Sequence, residues 1–386
     1  MLSNNFFSVI IVTLELLFFL SSCGPTQHSK QPPPAEHRDI AFSDSMLPFA
    51  AVDNVYRTSR LFTYDLATNQ LKERLNGQSG DPWLSFYDNQ LIFFNRQETI
   101  FNMLSFHRVS GKFENLRQIP CDTGDPHGLV EVAEQKMAIA CWVRGVAFIR
   151  QFGEDSVADL LLNHSERPFR PRDMWLGKFD GQDALFLIHQ GVDNLWNGNS
   201  TQKIYVYLVS KIKELQGKAK SLDPIASFPL RSTNASLLRH SSQKLIVGLC
   251  YPGSMNCTSA VEILNPSSNQ LELLADLTPL PYSSNGSLAS GPNDSSFFAN
   301  VVEHKSATKQ LVLISFAQGQ VTVNELYRYD VNGSGSYLLA FVERHQLLMV
   351  GDRTPSGGEL LLFKPGESIP STKVALPLIP YAAPAF

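Results

Sequence analysis

The 386-residue chain has no excess of either charge, with 32 Lys and Arg against 36 Asp and Glu for a net of −4. Without a basic field, nucleic acid is not an expected partner. Cysteine is scarce, five residues in all, and none stands in a Cys-x-x-Cys pair or at ligand spacing from a histidine, so a structural zinc site is not expected. Familiar catalytic motifs are missing as well: no Gly-x-Ser-x-Gly elbow, no His-Glu-x-x-His and no P-loop. The Ser-x-x-Lys matches at Ser210/Lys213, Ser241/Lys244 and Ser306/Lys309 lack the partner motifs and helical setting of that chemistry. These absences lean away from catalysis. Helical periodicity is rare, and the one extended apolar run is Phe6 to Leu20.

That run has the length of the hydrophobic region of a secretion signal and is short for a membrane span. It closes on Leu20-Ser21-Ser22-Cys23-Gly24. The pattern resembles a bacterial lipoprotein signal, in which Leu stands three residues before the cysteine and small residues occupy the next two positions. The resemblance implies that residues 1–22 are removed and that the mature chain begins at Cys23, lipidated with acyl chains such as palmitate and partnered to a membrane through them. Gly24, in place of an Asp, implies the outer membrane, on its periplasmic side or at the surface. An ordinary secretory signal or a retained anchor are the other readings of this segment. Residues 23–44 are polar and Pro-rich, including Pro32-Pro33-Pro34, and read as an extended tether ahead of a body spanning 45–386. Loss of Glu15 with the signal changes the net charge only from −4 to −3.

Four cysteines remain, an even number in a compartment that permits disulfides. Cys250 and Cys257 bracket a short loop and form one expected pair, and Cys121 with Cys141 the other, although three connectivities are open and buried free thiols are the alternative. The Asn-x-Ser/Thr sequences, such as those at Asn163, Asn234, Asn256 and Asn332, read as polar turns.

In the body, short runs of Val, Ile, Leu, Phe and Tyr alternate with clusters of Gly, Pro, Asn, Asp and Ser, an all-β pattern. Gly80-Asp81-Pro82-Trp83, Gly124-Asp125-Pro126-His127 and Pro171-Arg172-Asp173-Met174-Trp175 recur about 45 residues apart, the period of a four-stranded propeller blade. Further units start near Thr233, Asn293 and Ser336, and a partial one precedes Gly80. The expected fold is therefore an all-β propeller of seven four-stranded blades, six being the alternative count, closed with help from Ile379 to Phe386. A β-sandwich pair is the rival. Lys211 to Lys220 reads as a helical surface insertion.

In a propeller, loops entering the innermost strands and loops joining second to third strands emerge on one face. Asp81, Asp125, His127, Arg172, Asp173, Trp196, Asp294 and Arg353 are assigned to that face as candidate ligand residues, because Arg and aromatic side chains dominate binding surfaces. Each also has a plain structural reading, since Asp before a strand accepts turn hydrogen bonds and Trp packs between blades. No cofactor is expected, although repeated Asp positions raise the alternative of an axial calcium ion. The architecture resembles that of propeller lipoproteins and periplasmic propellers, which implies an envelope scaffold binding a protein or a polymer. The alternative on the same frame is an enzyme, a metal-dependent lactonase or esterase or a sugar dehydrogenase.

Overall fold

The computed structural model describes residues 44–384 except 88–89, 96–99, 108–112, 121–125, 134–135, 152–157, 165–168, 194–195, 200, 216, 241–242, 266–269 and 331–336. The signal segment, Cys23, the tether up to residue 43, Cys121 and Asp125 thus lie outside the described residues.

The chain opens with β1 (Met46–Val52), β2 (Thr58–Asp65) and β3 (Gln70–Ser79), followed by β4 (Pro82–Tyr87), β5 (Gln90–Asn95), β6 (Ile100–His107) and β7 (Phe113–Pro120). Next come β8 (Pro126–Ala133), β9 (Lys136–Cys141), β10 (Val146–Gln151) and β11 (Leu160–Leu162), then β12 (Pro171–Phe179), β13 (Gln182–His189) and β14 (Lys203–Leu208). A short helix, α1 (Val209–Leu215), leads to β15 (Ser221–Leu222) and β16 (Ala226–Pro229). The remainder is β17 (Ala235–Arg239), β18 (Lys244–Gly248), β19 (Ala260–Asn265), β20 (Gln270–Asp276), β21 (Tyr282–Ser290), β22 (Ser296–Glu303), β23 (Lys309–Ala317), β24 (Gln320–Arg328), β25 (Leu339–Val342), β26 (Leu347–Thr354), β27 (Gly357–Phe363), β28 (Thr372–Leu376) and β29 (Ile379–Ala382).

These strands form seven sheets, built on antiparallel strands that run from an inner to an outer position. The sheet containing β1 is completed by the C-terminal β29, which pairs antiparallel to β1 in the innermost position. One sheet has a fifth strand because β15 adds parallel to β11. Helix α1 is less of a surface elaboration than its charge implies, since Ile212 is fully buried against Leu160 and Leu222.

Burial follows position in the sheet. The second strand β22 is buried through its first six residues, whereas the outer strand β24 alternates exposed and half-buried positions. A strand covered on both faces reads as a continuous apolar run, and an edge strand does not. Each sheet packs face to face on the next: Ile92 of β5 on Met137 and Phe148, Met174 and Leu185 on Ala138 and Ile149, Phe186 on Ile246, Val247 on Phe297, and Phe298 on Phe341. The ring closes where Leu360 and Leu362 meet Phe49 and Phe62, and where β1 and β29 contact β4. Each Leu or Phe so buried contributes roughly 1.5–3 kcal/mol. The fold is a β-propeller.

One unit boundary differs from expectation. The innermost strand of the fifth unit is β21, starting at Tyr282, and Asn293 and Asp294 belong to the turn between β21 and β22. Asn293 Oδ1 accepts the Ser295 N–H at 3.0 Å, a side-chain turn that mimics a strand entrance in sequence but joins two strands of one sheet. No helix among the described residues is long and apolar enough to cross a membrane.

Candidate functional site

Four innermost strands lose register with their neighbours near the same end of the channel. In β8 the extra residue is His127, in β12 it falls at Arg172-Asp173, in β29 it is Tyr381, and in β21 the stretch Asn285 to Ser287 is displaced. A bulge re-aims a side chain out of the ladder, and bulges gather next to functional sites. Here they converge. His127, Arg172, Asp173, Gly286, Ser287 and Tyr381 line one cavity of about 230 Å³ at the channel mouth, together with Trp83, Tyr251 and Tyr337. Farther along the channel, Leu237, Leu238, Leu288 and Leu339 border this cavity and a second one of about 190 Å³, so aliphatic side chains floor the mouth. Gly286 is required by this packing: its φ is +101°, and a Cβ there would lie 2.4 Å from the Tyr337 ring.

An arc of aromatic rings flanks the cavity. His127 and Trp142 lie 5.8 Å apart, Trp142 stacks on Trp196 at 5.0 Å, and Trp196 meets Tyr251 at 4.9 Å. The Arg170 guanidinium sits 4.7 Å from the Trp142 ring centre and donates to the Trp142 and Val143 carbonyls. A second group joins Tyr56, Tyr381 and Tyr337 edge to face. The Tyr381 hydroxyl donates to Asp81 at 2.6 Å. The rings come from different sheets, and a buried polar network ties those sheets together. Trp142 Nε1 donates to Gln190 Oε1 at 2.7 Å, Gln190 Nε2 donates to Asn234 Oδ1 at 2.9 Å, and Asn234 Nδ2 donates to the Leu249 carbonyl at 3.1 Å. Fully satisfied, such a network rigidifies the surface it supports.

Trp196 has φ +63°, a conformation that bulky residues rarely adopt. Its loop is over-determined: Asp193 accepts the Asn197 N–H, and Asn197 Oδ1 accepts the Met255 N–H at 3.0 Å. Gly198 lies so close to the backbone of Asn256 that a Cβ would approach its carbonyl oxygen to 2.1 Å. The loop pressed against it is closed by the Cys250–Cys257 disulfide. Cys141, fully buried, is disulfide-bonded too, while Cys121 lies outside the described residues. Replacing Cys250 and Cys257 by serine is expected to cost about 2 kcal/mol, the low end for a short loop. The tryptophan near-UV circular dichroism should weaken in parallel, because the lost crosslink holds the loop beneath Trp196.

Of the sequence-assigned residues, His127, Arg172 and Asp173 come together in the cavity. Asp81 stands behind it as the acceptor of Tyr381, with φ +62°. Trp196 lies in the aromatic arc. Arg353, at the end of β26, reaches the Asn54 carbonyl at 3.5 Å and does not border the cavity. Asp294 is corrected to the opposite end of the channel, 3.8 Å from His240, for the reason given by its turn. Asp125 lies outside the described residues. Among the described residues, Asp81, Asp173 and Asp294 are not gathered around the axis, and no three His, Cys, Asp or Glu come together to hold a metal ion. Tyr251, Tyr337, Tyr381 and the β21 bulge were not singled out from sequence. The Asn285-Gly286 pair inside an otherwise regular strand was the available signal for the bulge.

No family model matches the sequence, and no curated protein matches it either. Solved structures do. A periplasmic gluconolactonase of Pseudomonas aeruginosa superposes with a TM-score of 0.59 at 15% identity, covering 88% of this chain and 98% of its own. A putative 6-phosphogluconolactonase of Bacteroides fragilis gives 0.56 at 12% identity, covering 89% and 99%. A quinoprotein alcohol dehydrogenase-like protein of Bacteroides thetaiotaomicron gives 0.55 at 10% identity, covering 86% and 76%. At these identities the likeness is one of fold.

Proposed function

We propose that this protein is a lipid-anchored propeller of the cell envelope that binds a glycan polymer at the channel mouth. The observation that carries the reading is the convergence of bulged polar residues with two aromatic groups around one small cavity. Aromatic faces with a few placed polar groups suit a ligand that alternates apolar C–H faces with hydroxyls. The Leu20 to Gly24 pattern supports lipidation at Cys23 and an outer-membrane address. Asp44, the first described residue, is fixed to the propeller away from the site. Its carboxylate pairs with Arg344 at 3.0 Å and its carbonyl meets His345 at 2.7 Å, in a turn between β25 and β26 at the end opposite the mouth.

Co-sedimentation of the mature protein with polysaccharide fractions of its own envelope tests the reading. Trp196→Ala should reduce the bound fraction at least fivefold in a protein that still unfolds cooperatively, with a stability loss of about 1–3 kcal/mol from the two ring contacts removed. Capture of a protein partner with no glycan bound would overturn it, as would full binding by the variant. Mass spectrometry of the N-terminal peptide checks the anchor; an unmodified Cys23 removes it.

The alternative is hydrolysis of a sugar lactone, favoured by the placement of His127 beside Arg172 and Asp173 and by the fold shared with proteins described as gluconolactonases. In that case His127 would serve as general base toward water. Turnover of δ-gluconolactone lost in His127→Gln would establish it, and absence of turnover above the uncatalysed rate would dismiss it.

A further inference from the structure

We infer that the unit seated in the mouth is a carboxylate-bearing sugar, a uronic acid residue of the polymer, with its carboxylate on the Arg172 guanidinium. The inference rests on the glycan reading above. Arg172 borders the cavity and, among the described residues, has no hydrogen-bond or ion-pair partner. Arg60, Arg150 and Arg231, by contrast, are each committed to a carboxylate of the chain. The bulge that turns Arg172 out of the β12 ladder also presents Asp173, whose Oδ2 accepts the Leu237 N–H at 3.0 Å and whose Oδ1 is left to accept from a ligand hydroxyl. Across the mouth, the β21 bulge brings Ser284 and Ser287 to the cavity lining, where their hydroxyls can meet those of a sugar ring.

Charge selects the acid. The planar fork of one guanidinium matches the two oxygens of a carboxylate, and with Asp173 next to it and Asp81 behind, its positive charge is already offset enough to disfavour a dianion more than a monoanion. A phosphate monoester would bring about −1.5 to −2 charges against the same single cation. Size selects one unit. The cavity of about 230 Å³ is smaller than the roughly 300–1,000 Å³ of pockets that enclose larger ligands, so the rest of the chain must leave the mouth. Tyr337, 52% exposed at the rim, offers a face on which the next ring can lie.

The test titrates the mature, full-length protein with tetragalacturonic acid and with its methyl ester at constant ionic strength, following tryptophan fluorescence. The acid should bind about tenfold tighter than the ester. Arg172→Gln should abolish that difference by weakening the acid alone, and Arg172→Lys should restore part of it. Unchanged thermal unfolding of both variants is expected, because the side chain holds nothing in the fold. Galacturonic acid monomer distinguishes a free sugar acid from a polymer unit: binding as tight as that of the tetramer would overturn the polymer assignment. Equal affinity for acid and ester, a preference that survives in Arg172→Gln, or tighter binding of glucose 6-phosphate than of galacturonic acid would overturn the carboxylate. If neither oligosaccharide binds while envelope polysaccharide still co-sediments through Trp196, this inference fails and the glycan reading stands. If nothing co-sediments, the glycan reading itself has failed.

Discussion

Replacing Glu262 by alanine is expected to lower the unfolding free energy by about 3–5 kcal/mol, the cost of leaving several buried hydrogen-bond donors without their acceptor. Glu262 lies on β19 and is 2% exposed. Its Oε1 accepts the Arg231 N–H at 2.8 Å, and its Oε2 accepts the Ser232 N–H at 2.8 Å and the Ser232 hydroxyl at 2.6 Å. Deleting the carboxylate strands two backbone donors and a hydroxyl, and a buried donor without an acceptor costs about 1–3 kcal/mol. Water cannot easily replace it. Ser232 and Thr233 press on Gly248 so closely that a Cβ there would sit 2.3 Å from the Thr233 carbonyl oxygen.

The effect should reach the mouth. Arg231 and Ser232 lead into β17, and the next residues include Asn234, held at φ +53° within the Gln190 network. Freeing the segment upstream removes one of the restraints on that strained residue, so polysaccharide binding should fall along with stability. Glu262→Gln keeps one acceptor but turns an amide toward a donor, and an intermediate loss is expected. Urea unfolding followed by tryptophan fluorescence checks both variants. A loss below about 1 kcal/mol in the alanine variant would mean that the loop finds other acceptors.

The strands and their turns were legible because their determinants are local. Gly80-Asp81-Pro82 and Pro171-Arg172-Asp173 announce strand entrances through turn chemistry, and continuous apolar runs such as Ala184 to Ile188 announce a central strand. The same locality explains the misplacement of Asp294. An Asx turn says that the chain reverses, but not at which end of a sheet it does so. The site was only half legible for a related reason. A bulge is defined by the partner strand, so the displacement of His127 or Tyr381 exists only once β8 faces β9 and β29 faces β1. Trp142 and Tyr251 follow second strands of different sheets, and Trp196 lies between them only because the sheets are arranged in a ring. Composition shows how many tryptophans there are; closure decides which of them meet.

Asp352→Asn is expected to stabilise the protein by about 2–3 kcal/mol at pH 7.5 and to change little at pH 4. Asp352 lies on β26, 5% exposed, with Oδ1 buried and without a partner among the described residues. Burial pushes its carboxyl from an ordinary 3.8 up to about 6, with Glu359 and Asp330 adding to the rise and the Arg353 N–H and Lys373 opposing it. Below pH 3.8 the group is protonated in both the folded and the unfolded chain and contributes no penalty. Between 3.8 and about 6 the folded protein retains a proton that the unfolded chain has released, so stability declines as the pH rises through that window. Above it the full cost of an ionised, buried carboxylate applies. Asparagine has nearly the same shape and no charge to bury, which removes the cost at neutral pH while leaving the acid side unchanged. Urea unfolding of both proteins from pH 4 to 8 should therefore give curves that coincide at the acid end and separate on approaching neutrality. Parallel curves, or a variant weaker at pH 7.5, would show that the ionised carboxylate is paid for by a partner in solution and that Asp352 supports the interface between the last two sheets it joins.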